Sequence, residues 1–380
     1  MKIATNVHRD VFGGITVSNL ALFDWLEEKK DTIVGIEYVT ARQFMGPAIF
    51  RHYEPSFFRH HIINAIDMFP KYSWEKPIGN IRKKWDVLVE ATKNSLRKEA
   101  PDIVLVNGTY FAPWILAKAA EELGIPVVLR YAGVLEREAA HKSFFIRRRL
   151  LAHEKWIASM ANAVIFPSAL CKKVVEEEVT KGPLNDEVVI PNPVGMAGEL
   201  DRKQGGRYTI VAIGRWSPIK NFQAFVELHK TLRKERWPHR AIMVTSYHDK
   251  KFGIPETIER LDPMSQEDLK KFYQKIDLLV VPSLFETFCN VAAEAVVYGV
   301  SVLVSEDVGF SEILRKAGLG RMVIPSFDDS RLVAKAIRRI KKEPLTVSER
   351  KKVASLLDPG RVHAKMLRVL QRVLSAGQVS

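Results

Sequence analysis

The feature that most constrains this chain is a unit that recurs along it: a short apolar run, a polar or glycine-bearing loop, and a helical stretch. Runs of about four to six residues rich in Val, Ile and Leu, without alternation, suit strands buried on both faces. Strands alternating with helices point to a parallel sheet. The clearest pair of units lies in the second half. Tyr208 to Ile213 enters Gly214-Arg215-Trp216-Ser217-Pro218-Ile219-Lys220-Asn221-Phe222 before a helix starting near Gln223. Ile276 to Val281 enters a loop, Ser283 to Cys289, and then a helix from about Asn290 to Tyr298. Gly299 stops that helix where a left-handed cap is usual, and Val300 to Val304 begins the next strand. The first half repeats the unit with strands at Lys2 to Asn6, Ile103 to Val106, Val127 to Arg130 and Ala163 to Phe166.

A chain of 380 residues exceeds what one core usually holds, so two domains are expected. The turn-rich stretch Gly182 to Asp186, the short strand Val188 to Ile190 and Pro191-Asn192-Pro193 mark the boundary, giving domains at 1–188 and 189–360. With 47% apolar and 27% charged residues the composition is that of a folded protein, not a disordered one. Two cysteines, Cys171 and Cys289, make no disulfide framework, and no apolar run approaches the ~18 residues of a membrane span, so a cytoplasmic location is expected. Lys and Arg outnumber Asp and Glu by 26 to 24 in residues 1–200 and by 32 to 20 in 201–380. The second half therefore favours anionic ligands, although Arg331 to Lys352 and Arg361 to Arg372 read first as solvated helix faces.

Ligands of open α/β sheets bind at the carboxyl ends of the strands. At those ends Arg215 and Lys220 supply a guanidinium fork and an ammonium, which suit a diphosphate leaving group. Glu286 and Glu294 supply carboxylates that accept two hydrogen bonds each, which suits vicinal hydroxyls. The orphan amides at the start of the helix, Phe288 to Val291, can cradle a phosphate. Gly13 and Gly14 let the backbone approach a ligand after the first strand, without forming a dinucleotide fingerprint.

Together, Pro191-Asn192-Pro193-Val194, Gly214-Arg215 with Lys220-Asn221, Pro282-Ser283 with Glu286 and Glu294, and Gly309 with Glu312-Ile313 resemble the retaining glycosyltransferases of family four (glycosyl transferases group 1). The motifs stay in register over about residues 188 to 340. The resemblance implies the GT-B arrangement, two Rossmann-like α/β domains facing across a cleft, with the terminal helix from Arg361 returning to the first domain. It implies transfer of a sugar from a nucleotide-diphosphate sugar to a hydroxyl acceptor. Arg215, Lys220 and Glu286 are the expected catalytic residues. Gly13, Gly14, Asn107, Arg130, Tyr131, Thr287, Phe288, Cys289, Asn290, Val291 and Glu294 are the expected substrate-binding residues. Within that set Glu286 would hold donor-sugar hydroxyls and Glu294 the ribose, while Leu261 to Met264 would lie near the base.

Relatives commonly carry a histidine near the strand end where this chain has Arg130 and Tyr131, so no catalytic histidine is assigned, and His8 and His141 are weak substitutes. Adjacent His60 and His61 lack metal-ligand spacing, and no H-E-x-x-H, cysteine cluster or Asp-x-Asp triplet occurs. No metal or other cofactor is therefore expected, and no nucleic-acid partner. Phe144 to Leu151, with its arginine triplet, reads as a core helix with one charged turn before it reads as a contact to anionic lipid, so the location could extend to peripheral association at the inner membrane surface. The alternative to an enzyme is a non-catalytic nucleotide-sugar binder or basic surface adaptor of the same fold.

Overall fold

A computed structural model of the chain describes residues 1–7, 14–29, 31–39, 59–64, 81–140, 144–195, 206–246 and 253–377. These form two compact units, residues 1–167, 172–190 and 360–380 in the first, and 168–171 with 191–359 in the second. The expectations for Gly13, His8, His141 and the aromatic-rich segments 41–58 and 65–80 lie outside the described residues.

The first unit carries strands β1 (Lys2–Val7), β2 (Thr32–Val39), β3 (Arg59–Asn64), β4 (Ile103–Asn107), β5 (Val127–Arg130), β6 (Ala163–Phe166) and β7 (Glu187–Val189). They pair in parallel in the order β3-β2-β1-β4-β5-β6-β7. Helices α1 (Gly14–Glu28), α2 (Ile81–Glu99), α3 (Phe111–Glu122), α4 (Leu135–Glu138), α5 (Phe144–Met160) and α6 (Ala169–Val174), whose first three residues group with the second unit, connect the strands. Every residue of β4 and β5 is buried, as unalternating apolar runs require when both faces are covered. His61 in β3 is absorbed by structure, its Nε2 lying 3.0 Å from Glu99 Oε1.

The second unit carries β8 (Tyr208–Ile213), β9 (His239–Val244), β10 (Ile258–Leu261), β11 (Leu278–Val281), β12 (Ser301–Ser305) and β13 (Val323–Ile324), all parallel, in the order β10-β9-β8-β11-β12-β13. Its helices are α7 (Phe222–Lys234), α8 (Gln266–Tyr273), α9 (Asn290–Val297), α10 (Ser311–Lys316), α11 (Ser330–Lys342) and α12 (Val347–Leu356). Gly299 follows α9 at φ 80°, the left-handed stop the sequence predicts. Helix α13 (Pro359–Gly377) belongs to the first unit. There it buries Val362, Met366, Val369, Leu370 and Val373 against Leu22, Phe23 and Ile33, while Arg372 forms a two-pronged ion pair with Asp186. No helix among the described residues is long and apolar enough to cross a membrane.

Both sheets reverse their winding once. In the first sheet the reversal falls between β1 and β4, in the second between β8 and β11. Those two places are where an open α/β sheet leaves a crevice at the carboxyl ends of its strands.

Candidate active site

In the second unit, the loops leaving the two strands at the reversal are the cationic loop after β8 and the carboxylate loop after β11. The cationic loop is held by a short 3₁₀ turn, Pro218–Lys220, with proline at its start and Asn221 at φ 48° closing it. That turn aims Lys220 back over the strand end. The carboxylate loop is pinned to it where Leu284 N–H donates to the Ile219 carbonyl at 2.8 Å. As a result Lys220 Nζ donates to Glu286 Oε1, which also accepts from Ser283 Oγ at 2.8 Å. Neither partner of the ion pair is freely solvated, with side chains 22% and 15% exposed.

Burial opposes the charge on Lys220, but the Glu286 carboxylate, the Cys289 sulfur and the hydrogen bond outweigh it, so its pKa is raised despite repulsion from Arg215. Arg215 is exposed and has no ion-pair partner among the described residues. One guanidinium open to solvent beside one half-buried ammonium is a ready anion site.

The carboxylate loop is anchored from below. Glu286 forms an isolated parallel bridge with Val308, its N–H donating to the Asp307 carbonyl at 3.0 Å and its carbonyl accepting from Gly309 N–H at 3.0 Å. A Cβ at Gly309 would sit 2.3 Å from the Thr287 carbonyl oxygen and 2.5 Å from Ser168 Oγ, so the loop can close here only over glycine. Ser168 Oγ donates to that Thr287 carbonyl at 2.6 Å. Glu312 accepts from the amides of Ala169 and Leu170 at 3.1 and 2.7 Å, a contact within the second unit.

The loop ends at Cys289, left-handed at φ 83°, which turns the chain into α9. Phe288 and Cys289 send their side chains inward. The Phe288 ring meets Phe310 edge-on at 5.7 Å, and burial with the nearby Glu286 charge pushes the Cys289 thiol up to about 12. At these two positions the backbone, not the side chain, is what faces outward from the core. Asn290 Oδ1 accepts from Asn192 Nδ2 at 2.8 Å, tying the start of α9 to the Pro191-Asn192-Pro193 stretch.

One turn on, burial raises the Glu294 carboxyl to about 7, a shift that the hydrogen bond from Tyr273 and the charge of Lys270 only partly offset. Tyr273 Oη donates to the Val291 carbonyl at 3.2 Å and lies 3.4 Å from Glu294 Oε2. At the carboxyl ends of β9 and β10 a cavity of about 490 Å³ opens, lined by Thr245, Pro255, Ile258, Arg260, Leu261 and Asp262. Its floor includes part of the Leu261 to Met264 loop; Ser265 caps α8 behind it, accepting from Asp268 N–H.

In the first unit the structure buries three residues of the expected binding set, Asn107, Arg130 and Tyr131. Tyr131 is packed within the unit. Its N–H donates to the Ile165 carbonyl at 2.9 Å, and its ring, 1% exposed, stacks on Phe166 at 5.0 Å. The Arg130 guanidinium is buried and donates to Asn19 Oδ1 at 2.8 Å, burial lowering its pKa to about 10. Asn107 joins the ends of β1 and β4, its N–H donating to Asn6 Oδ1 at 2.8 Å and its Nδ2 to Thr5 Oγ1 at 2.9 Å. The Arg130 guanidinium and the Asn107 amide nitrogen thus spend their hydrogen bonds inside the first unit, on Asn19 and Thr5, as buried polar groups require. Gly14 opens α1.

Two contacts escape the sequence reading. Ser283 completes the environment of Glu286. Glu154 of α5 is fully buried, accepts from Leu135 N–H through both oxygens at 3.1 Å and from Thr109 Oγ1 at 3.4 Å, and burial pushes its carboxyl up to about 8. It thus fastens the loop after β4 to the start of α4. A signal existed: Glu154 falls on the helical stripe of Leu150 and Ile157, where an acid is out of place.

Two parallel-sheet units, with cations and carboxylates converging at the winding reversal of one, have the GT-B architecture of glycosyltransferases. Residues 201–355 match the family described as Glycosyl transferases group 1, and residues 50–196 match Glycosyltransferase Family 4. Sucrose-phosphate synthase from Thermosynechococcus elongatus superposes with a TM-score of 0.76 at 18% identity, covering 99% of this chain and 100% of that one. Anabaena HepE in complex with UDP-glucose superposes with a TM-score of 0.72 at 15% identity, over 98% and 100% of the two chains. In sequence, the uncharacterized glycosyltransferase YqgM of Bacillus subtilis is 24% identical over 210 residues, which is 50% of this chain and 55% of that protein. The chain thus spans about half the length of that relative.

Proposed function

We propose that this protein is a retaining, metal-independent glycosyltransferase that moves a sugar from a nucleoside-diphosphate sugar to a hydroxyl acceptor. One observation carries the reading: Lys220, with Arg215 beside it, meets Glu286 at the winding reversal of the second sheet. Cleavage of the bond from the anomeric carbon to the diphosphate leaves positive charge on the sugar and negative charge on the leaving phosphate. Lys220, Arg215 and the amides at the start of α9 stabilise the phosphate as its charge develops, and preorganised charge of this kind lowers a barrier most where charge changes most. Lys220 reaches the diphosphate by sharing its three protons between Glu286 and a phosphate oxygen. Glu286, oriented by Ser283, accepts from donor-sugar hydroxyls, and Glu294 accepts from the ribose. The cavity beside β9 and β10 takes the base. The departing phosphate oxygen takes the acceptor proton, so no protein general base is required, and no protein nucleophile is assigned.

A thermal-shift screen of nucleoside diphosphates and their sugars tests the donor half, because a ligand that binds only the folded state raises the melting temperature with concentration. The HepE complex makes UDP-glucose the first donor to try. One base should shift the melting curve, and release of free nucleoside diphosphate should then accelerate when an acceptor is added. The anomeric configuration of the product decides retention. A protein that no nucleoside diphosphate stabilises at millimolar concentration would sink the proposal. Binding without turnover over any acceptor panel would leave the non-catalytic binder standing instead.

A further inference from the structure

Helix α10 begins at the active-site loop and ends at Lys316, where the second unit carries a shallow cavity of about 500 Å³. Lys316, Lys351 and Lys352 surround it, with Ser348 and Ser355 between them and Ala317 and Leu356 as its apolar wall. The four α12 positions 348, 351, 352 and 355 share one helical face by their spacing, and the opposite face sends Val353 and Ala354 into the core.

The cations of this region divide into two sets. Arg315 pairs with Glu306, Arg321 is held by Glu349 through both guanidinium nitrogens at 2.7 and 2.8 Å, and Arg350 Nε donates to the Val297 carbonyl at 2.7 Å. Lys316, Lys351 and Lys352 have no acidic partner among the described residues. The three cations that converge on the cavity are thus the ones left uncompensated. The apolar surface beside them continues outward, with Leu356 40% and Val347 66% exposed.

We infer that this cavity is a second anion site, distinct from the donor site, for a phosphate group attached to an apolar body. Three ammonium groups and serine hydroxyls match a phosphate's charge and acceptor oxygens. An exposed leucine and valine at the rim match aliphatic chain next to it. A lipid headgroup and a soluble phosphate ester both offer that chemistry, and a lysine near an anionic lipid surface gains attraction that fades within a Debye length. The inference does not rest on the proposed transfer reaction.

The test is acylation footprinting of lysines by mass spectrometry on the full chain, which reads this cavity separately from Lys220. One arm contains inorganic pyrophosphate, the other phosphatidylcholine vesicles with and without phosphatidylglycerol. Labelling of Lys316, Lys351 and Lys352 is expected to fall together in at least one arm while the exposed Lys275 and Lys335 are unchanged. Protection by anionic vesicles alone assigns a lipid headgroup, and protection by pyrophosphate assigns a soluble phosphate. The double variant K351Q/K352Q, with an unchanged melting curve, should lose the effect, its vesicle partitioning falling by roughly tenfold or more. Uniform loss of labelling at every exposed lysine, or no protection in either arm, would overturn the inference and leave an ordinary solvated face.

Discussion

Replacing Lys220 by methionine tests the centre of the site, because it keeps most of the stem and removes only the charge. In the wild type the ammonium donates to Glu286 Oε1, and Ser283 Oγ donates to the same oxygen. Losing a hydrogen bond from a charged donor costs ~1.5–3 kcal/mol. If the bond to the leaving phosphate is made in the transition state, that converts to roughly 10- to 150-fold in kcat/KM. Stability should also fall, since Glu286 is left largely buried with only Ser283 as partner. The double variant K220M/E286Q removes the stranded charge, so it should recover part of the lost stability and none of the lost turnover, with a coupling of about 0.5–3 kcal/mol. Urea denaturation reads the first quantity, and steady-state release of nucleoside diphosphate reads the second. Turnover by K220M within twofold of wild type would refute the assignment of Lys220, and strictly additive stabilities would refute the coupling of the pair.

The Glu294 carboxyl, raised to about 7 chiefly by burial, makes two opposite pH dependences. Its raised pKa favours the neutral form, so its contribution to stability is present below the unfolded value and is lost as pH rises towards 7; donor affinity should instead increase from about pH 6 to about pH 8 as the ribose-accepting carboxylate forms. Calorimetric titration of the donor with E294Q should show a flat profile, and parallel profiles for the two proteins would rule the role out. Glu154, raised to about 8, likewise withdraws stability as pH climbs from 4.5 through 8, with a slope of up to about 1.4 kcal/mol per pH unit. E154Q should flatten that part of the stability curve, and an unchanged slope would show that Glu154 does not titrate there.

Much of this was readable from local pattern. The runs Tyr208–Ile213, Val127–Arg130 and Ala163–Phe166 are strands at the positions their composition indicates, and the stop at Gly299 is left-handed. Such features follow from near-neighbour sterics and from burial on both faces, which the chain carries in each short segment. The strands Thr32–Val39 and Ile258–Leu261 and the helix Val347–Leu356 were not anticipated, because their polar and apolar residues match neither period cleanly.

By itself, then, the sequence determined which of the plain apolar runs are strands, which loops carry Arg215, Lys220 and Glu286, and what kind of anion those residues suit. Tertiary structure alone decided that β8 and β11, distant in sequence, lie side by side at the reversal, and so that Lys220 meets Glu286. It also decided that Arg130 and Tyr131 turn inward while Glu154 is sealed beneath two loops. The physical reason is that sheet order and side-chain burial are set by contacts across many tens of residues, whose free energy no single stretch of chain contains.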